Sequence, residues 1–266
     1  MKDLKIRALS GLLYVGLILV SLFQGPLFFH LVLGLFSVLA LIEFHRLLNT
    51  SAIISLLLLL GLYSAHFFAL LSPTIMLGLL YITIVSCLLL SYRLYFHFPI
   101  TGGLFKHILS LGYLVSSCFF IVALYGNKNF YNPYLLLSIY SMTWVNNSAA
   151  YFVGSRFGKH PLLPTISPKK SWEGFWGGQL FVCLFAFGFY LLVPVMQVKI
   201  LAALSLFIPS LATIGDLIQS QFKREAGVKD SGSLLPGHGG FYDRMDSIIY
   251  IAPFVYLLHE IIIYVS

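Results

Sequence analysis

The chain has 266 residues, of which 59% are hydrophobic and 9% charged, with a formal net charge of +7. A soluble domain carries about 25% charged residues, and no soluble fold of this length has interior enough to hide so much apolar surface. The bilayer must therefore be the solvent for most of the chain, which excludes a soluble enzyme and leaves the basic excess to be explained without nucleic acid.

Lys2, Lys5 and Arg7 precede the first apolar run. This start resembles the basic and apolar regions of a signal peptide, but no small-residue cleavage site follows, so it reads as an uncleaved first helix. Candidate spans at 8–23 and 27–42 are divided by Gln24-Gly25-Pro26. At about 1.5 Å per residue both are short for a standard hydrocarbon core, and a re-entrant hairpin accounts for them equally well. From Leu47 to Tyr92 there is no Asp, Glu, Lys or Arg. A membrane helix needs roughly 20 apolar residues, so this run is two spans, 52–71 and 74–92, broken at Ser72-Pro73. Further runs at 107–125, 133–153, 175–195, 200–219 and 247–265 bring the number to nine. None alternates as a barrel strand would. The sequence thus predicts an all-α polytopic integral membrane protein with about nine transmembrane helices, built as a single domain over residues 1–266.

With the amino terminus placed in the cytoplasm, 14 of the 16 Lys and Arg residues fall on the inside, leaving only Lys128 and Lys199 outside. That is the positive-inside bias, and it accounts for the net charge. Cys87, Cys118 and Cys183 sit singly in apolar spans, without the spacing of a metal or disulfide framework, and read as packing residues.

Chemistry concentrates at two cytoplasmic loops, 154–173 and 220–246. Five of the nine acids (Asp216, Glu225, Asp230, Asp243 and Asp246) fall between Asp216 and Asp246. Such a cluster in a charge-poor membrane chain is a functional hypothesis by default. Asp216, Ser220, Lys223 and Arg224 follow i, i+4, i+7 and i+8 and share a helix face, while Asp243 and Asp246 open the last helix at i and i+3. Carboxylates from two helices suit Mg²⁺, which takes few protein ligands and leaves room for phosphate oxygens. Lys223, Arg224, Lys229 and Arg244 surround them with charge able to hold phosphates. Together these are the parts of phosphoryl or nucleotidyl transfer; a set of mutual salt bridges at a helix hairpin is the plainer alternative. The intervening run Gly232-Ser233-Leu234-Leu235-Pro236-Gly237-His238-Gly239-Gly240 lets backbone amides approach an anion just before a helix start. His238 either stabilises a leaving phosphate or caps the turn. In the other loop, Lys169-Lys170 has the ordinary reading of a topogenic anchor, and Gly174 with Gly178 forms a GxxxG suited to close helix contact.

Ser220-Gln221-Phe222-Lys223-Arg224, Lys229-Asp230-Ser231-Gly232, Leu235 through Phe241, and Asp243-Arg244-Met245-Asp246 together resemble the signature of the phosphatidate cytidylyltransferases, or CDP-diacylglycerol synthases. Ser167 to Gly174 is similar to that family's second loop, and Tyr151-Phe152-Val153-Gly154 and Glu43-Phe44-His45-Arg46 also fit it. The resemblance implies transfer of a cytidylyl group from CTP to phosphatidic acid, giving CDP-diacylglycerol and pyrophosphate, with Mg²⁺ as cofactor and room for a second cation. It implies a catalytic set of Asp216, Lys223, Arg224, Asp243 and Arg244. Metal would be held by Asp216 and Asp243, with Asp246 in support and Asn147 a further position. Substrate binding would fall to Ser167, Lys169, Lys170, Ser220, Lys229, Asp230, His238, Gly239 and Gly240. The implied partners are CTP, phosphatidic acid and the bilayer, not nucleic acid, with a homodimer left open. The implied location is the bacterial inner membrane, with the amino terminus and the site facing the cytoplasm. Two positions depart from the family pattern: Asn147 and Gln219 stand where acids are expected, each keeping an oxygen acceptor but losing the charge. A CTP-dependent polyprenol- or phytol-type lipid kinase, and a non-catalytic scaffold or transporter, are the competing readings.

Overall fold

The computed structural model describes residues 2–96, 98–193, 196–234, 237 and 239–265, without the side chains of 2–8 and 263–265. Gly25, at φ 104°, and Pro26 separate α1 (Lys2–Phe23) from α2 (Pro26–Leu48). Glycine supplies the positive φ, and proline's missing N–H is one of the donors that a helix start leaves unpaired anyway. The expectation of a short second span ending at residue 42 is overturned. α2 has 23 residues, about 34 Å at 1.5 Å per residue, and it is long and apolar enough to cross a membrane. It continues through Glu43 because that charge is met inside the protein. The apolar part of α1, Leu9–Phe23, remains short.

The break at Ser72-Pro73 stands where expected, between α3 (Ile53–Phe67) and α4 (Pro73–Phe96). α5 (Gly103–Leu109) passes through a π-helical segment (Ser110–Val115) into α6 (Ser116–Tyr125), forming one continuous rod. α7 (Pro133–Phe157) starts at Asn132, whose side chain accepts the Tyr134 N–H at 3.0 Å. α8 (Trp172–Leu192) starts at Ser171, whose hydroxyl accepts the Gly174 N–H at 3.1 Å. Both are the side-chain caps that a helix start favours. α9 (Val198–Glu225) and α10 (Tyr242–Val265) complete the set. Six helical stretches among the described residues are long and apolar enough to span a membrane. Cys87 and Cys118 are buried, and no cysteine among the described residues is bonded to another, in keeping with their reading as packing residues. The loop 154–173 is not wholly irregular: β1 (Pro161–Leu163) and β2 (Ser167–Ser171) pair antiparallel, a small departure from an all-helical chain.

Close helix contacts bring the polar ends together. A Cβ on Gly174 would lie 2.7 Å from the Ala150 carbonyl and one on Gly178 2.5 Å from Asn146 Oδ1, so the GxxxG is where α8 packs against α7. Gly215 does the same for α9: a Cβ there would sit 2.7 Å from Tyr250 Cβ and 2.9 Å from the Asp246 carbonyl. Under this end of the bundle Phe44 packs against Phe222 and Tyr242 at centroid distances of 5.1 and 5.3 Å, joining α2, α9 and α10. Arg93 of α4, 2% exposed, pairs with Glu225 at the end of α9, donates from Nε to the Phe98 carbonyl at 2.7 Å, and lies over the Phe222 ring. Arg93 is one of the fourteen basic residues that the charge count places on the inside, and the fold uses it as a clamp.

Because Gly215 has backbone against it, a larger side chain there must push α10 away. Gly215→Val should cost about 1–3 kcal/mol, typical of overpacking. In detergent its thermal midpoint should fall by several degrees relative to Gly188→Val, whose glycine faces open space. Equal midpoints for the two variants would contradict this account of the contact.

Candidate active site

The acids and bases of α9, α10 and the β1–β2 hairpin gather at one end of the bundle. Asp216 and Lys223 project from α9 on the shared face that their spacing predicts. Lys170 Nζ reaches Asp216 Oδ2 at 2.6 Å, bringing the two polar loops together, and Ser220 Oγ lies 3.3 Å from Asp216 Oδ1. One helix away, Lys223 Nζ pairs with Asp243 Oδ1 at 2.7 Å, where both side chains are largely out of solvent. Each principal carboxylate thus has a lysine partner, and the two pairs flank the same stretch of α9.

Asp243 is held more tightly than an ion pair alone would hold it. Its Oδ2 accepts from Ser231 N at 2.8 Å, Ser231 Oγ at 2.9 Å and Gly240 N at 3.0 Å. Gly239, at φ 79°, leaves no space for a side chain, since a Cβ would be 2.5 Å from Asp243 Oδ2. The glycines expected to cradle a phosphate therefore first cradle a carboxylate. Beneath them is an acid that sequence reasoning did not place in the site. Glu43 of α2, 1% exposed, accepts from Phe241 N at 3.1 Å, Tyr242 N at 2.9 Å and Ser231 Oγ at 2.9 Å. Its sequence signal was the Glu43-Phe44-His45-Arg46 match together with the oddity of an acid inside an apolar run.

Asp246 lies one turn deeper in α10. Its Oδ1 accepts from Ser247 N and from Ser247 Oγ, the latter at 3.0 Å. Asn147 Nδ2 points to the same Ser247 hydroxyl at 3.5 Å, and Asn146 Nδ2 donates to Asn147 Oδ1 at 3.2 Å. Asp246 also interacts electrostatically with Asp216, Lys170 and Lys223. Gln219, the other departure from the family pattern, is fully buried with both amide atoms unpartnered.

Next to Asp216 lies a cavity of about 550 Å³ between α7, α8 and the hairpin, lined among others by Asn146, Asn147, Tyr151, Lys169, Lys170, Phe175 and Asp216. It is of the size that takes a small-molecule ligand, and its wall changes from lysine and carboxylate to aromatic. The remaining positions are more loosely arranged. Arg224 is exposed and donates to the Val228 carbonyl at 3.4 Å, off the face that Asp216 and Lys223 share. Lys229 and Asp230 are exposed, and Ser167 begins β2 away from the cavity lining. The Arg244 carbonyl accepts from the Tyr14 hydroxyl at 3.1 Å, tying α1 to α10. His238 lies outside the described residues.

A divalent cation fits this arrangement in one respect. Asp216 and Asp246 are neighbouring carboxylates that repel each other across the α9–α10 contact, and a hard cation relieves that repulsion while taking few protein ligands. Asn146 Oδ1, buried and unpartnered on the cavity wall, is a further hard oxygen. Asp243 Oδ1 has a lysine ammonium as its recorded partner, a group on a flexible stem that can yield. No cluster of three or more His, Cys, Asp or Glu suited to a metal exists among the described residues, so a cation would need oxygens from substrate or water as well.

The Lys223–Asp243 pair makes a measurable prediction. Removing one partner of a buried pair costs up to about 3–5 kcal/mol, less here because Ser231 and Gly240 still donate to the survivor. Lys223→Met should lower the thermal midpoint in detergent, and Asp243→Asn added to it should recover part of the loss. Additive losses in the double variant would contradict the pairing.

Residues 5–262 match the cytidylyltransferase family. A phosphatidate cytidylyltransferase of Bacillus subtilis is 32% identical over 266 residues, covering 97% of this chain and 98% of that protein. One from Haemophilus influenzae is 42% identical over 135 residues, 49% of this chain and 47% of its own length. One from Thermotoga maritima is 37% identical over 160 residues, 58% of each. The last two alignments thus span only about half of those relatives. The match nevertheless runs from α1 into α10 and takes in both lysine–carboxylate pairs: the chain belongs to the cytidylyltransferase family.

Proposed function

We propose that this site transfers a cytidylyl group from CTP to phosphatidic acid, forming CDP-diacylglycerol and pyrophosphate in phospholipid biosynthesis. The observation that carries the reading is the Lys170–Asp216 pair at the wall of a cavity that passes from charged to aromatic, with the Lys223–Asp243 pair further along the same face of α9. One substrate is soluble and the other is retained by its acyl chains, so the reaction belongs at a membrane face.

A phosphate oxygen of the lipid attacks the α-phosphorus of CTP, the bond from that phosphorus to the bridging oxygen of the β-phosphate breaks, and pyrophosphate leaves with the bonding pair. The nucleophile is already an oxyanion, so no general base and no covalent enzyme intermediate are required. Lys170 and Lys223 exchange their carboxylate partners for phosphate oxygens and hold the two phosphates at the distance of attack. Arg244 and the exposed Arg224, Lys229 and Lys169 supply the surrounding positive potential that draws a polyanion in. Asp216, Asp246 and Asp243 would hold Mg²⁺, which when bound offsets the charge that builds up between attacking and leaving oxygens. The aromatic side of the cavity, Tyr151 and Phe175, accepts the apolar end of the lipid substrate. The bias of Lys and Arg between loops supports a cytoplasmic site, and the bacterial relatives support the inner membrane.

The test uses purified protein, phosphatidic acid, Mg²⁺ and CTP labelled at either the α or the γ phosphate. Label from the α position should enter the lipid product and label from the γ position should leave as pyrophosphate. Lipid carrying γ label would instead identify a kinase. Asp243→Asn should lower turnover by at least about 100-fold, the scale of losing one electrostatic contact made in the transition state; turnover like that of the parent would remove Asp243 from the mechanism.

A further inference from the structure

We propose that Glu43 is a positioning residue for the reaction: it fixes both ends of the glycine-rich loop, Ser231–Gly232 and Gly240–Tyr242, from beneath, and through Ser231 it sets the direction in which Asp243 presents its free carboxylate oxygen. This rests on the role given to Asp243 above and adds to it a residue from a helix that carries none of the chemistry.

Burying Glu43 carries a cost. A carboxylate at 1% exposure must be met by donors, or its desolvation costs several kcal/mol. Phe241 N and Tyr242 N, at 3.1 and 2.9 Å, are first-turn donors of α10, which a helix start leaves without intrahelical partners. Glu43 therefore caps α10 from another helix, and the positive end of the α10 dipole adds to the attraction.

The loop is shaped around this carboxylate. A Cβ on Gly240 would fall within the Glu43 carboxylate, and one on Gly232 would be 2.5 Å from Glu43 Oε1. Glycine at both positions lets the backbone descend onto Glu43, and that descent brings Gly240 N to within 3.0 Å of Asp243 Oδ2. The glycines thus serve the carboxylate below them as well as any phosphate above.

Ser231 couples the two acids. Its hydroxyl oxygen lies 2.9 Å from Glu43 Oε2 and 2.9 Å from Asp243 Oδ2, yet it has one proton to give. The two carboxylates compete for it, so a change in one alters the donor available to the other. With Oδ2 held by Ser231 and Gly240, the oxygen left to meet a lysine, a cation or a phosphate-bound partner is Oδ1. At 1% exposure Glu43 itself touches no substrate.

Glu43→Gln keeps the shape and removes the charge; Ser231→Ala removes only the bridge. The measurements are the Mg²⁺ concentration for half-maximal CDP-lipid formation, KM for CTP, and hydrogen exchange over the segment containing Phe241 and Tyr242. Both variants should lower turnover or raise the Mg²⁺ requirement by about 10–100-fold, the usual consequence of losing an orienting partner behind a metal ligand. KM for CTP should stay within about twofold. Glu43→Gln should also speed exchange of the two amides, and the double variant should lose less than the product of the single losses. A residue that served stability alone would lower the thermal midpoint without moving the Mg²⁺ requirement, and that outcome overturns the proposal. If Glu43→Gln fails to fold, Ser231→Ala decides: parental turnover and Mg²⁺ requirement in that variant overturn the proposal as well. Asp243→Asn in the same assay separates the two claims. Activity in Asp243→Asn removes the underlying reading, whereas an inactive Asp243→Asn beside parental Glu43→Gln and Ser231→Ala removes the role of Glu43 alone.

Discussion

A carboxylate at the membrane end of a helix has few ways to stay ionised, and the arrangement around Asp243 shows what is required. Its two oxygens take a lysine ammonium, two backbone amides and a hydroxyl, drawn from α9, from the glycine-rich loop and from the turn before it. Unless those donors arrive together, the charge is an uncompensated cost of several kcal/mol in a place where water is scarce. The rest of the polar end follows from meeting that demand. Gly215 lets α9 and α10 approach until Lys223 reaches across, Phe44 fixes α2 against both helices, and Glu43 draws the loop down until its amides point at Asp243.

The same logic separates the two basic groups that approach the acids of α9. Arg93 is enclosed, with its guanidinium committed to Glu225, Phe98 and the Phe222 ring, and it serves to lock α4 onto the end of α9. Lys170 is partly open, sits on a two-stranded hairpin, and lines the cavity with Asp216, its ion-pair partner among the described residues. A group held by several partners is a brace, and a group held by one at a cavity wall can change partners when an anion enters. That distinction supports assigning phosphate to Lys170 and framework to Arg93.

Much of this was legible in the sequence because membrane chains make charge scarce. The breaks at Gly25-Pro26 and Ser72-Pro73 are backbone chemistry, and α9 and α10 could be placed from apolar runs that meet acids at helical spacing, near the end of one and the start of the other. The face shared by Asp216 and Lys223 followed from the same spacing. Arg224 was assigned to that face as well, but one position after Lys223 turns the side chain by about 100°, and it projects to solvent. What stayed hidden was pairing between distant segments. Glu43 lies 188 positions from Ser231, and Arg93 lies 132 from Glu225. Periodicity reports which face a residue occupies, not what that face meets. The candidate span 27–42 stops just short of Glu43, whose partners are two backbone amides and the distant Ser231 hydroxyl, none of which leaves a mark in composition. The β1–β2 hairpin was missed for a related reason, since Pro161–Leu163 and Ser167–Ser171 show no apolar alternation.

We place the chemistry where α9 meets the start of α10, with Asp216 and Asp246 neighbours across that contact and Asp243 held beside them by Lys223. The most direct measurement is anomalous diffraction from crystals grown with Mn²⁺ in place of Mg²⁺ and with CTP. The account predicts an anomalous peak within bonding distance of Asp216 and at least one of Asp243 and Asp246, with triphosphate oxygens on its open side. A peak ligated by residues remote from these three, or triphosphate bound with both lysine–carboxylate pairs still closed, would contradict it.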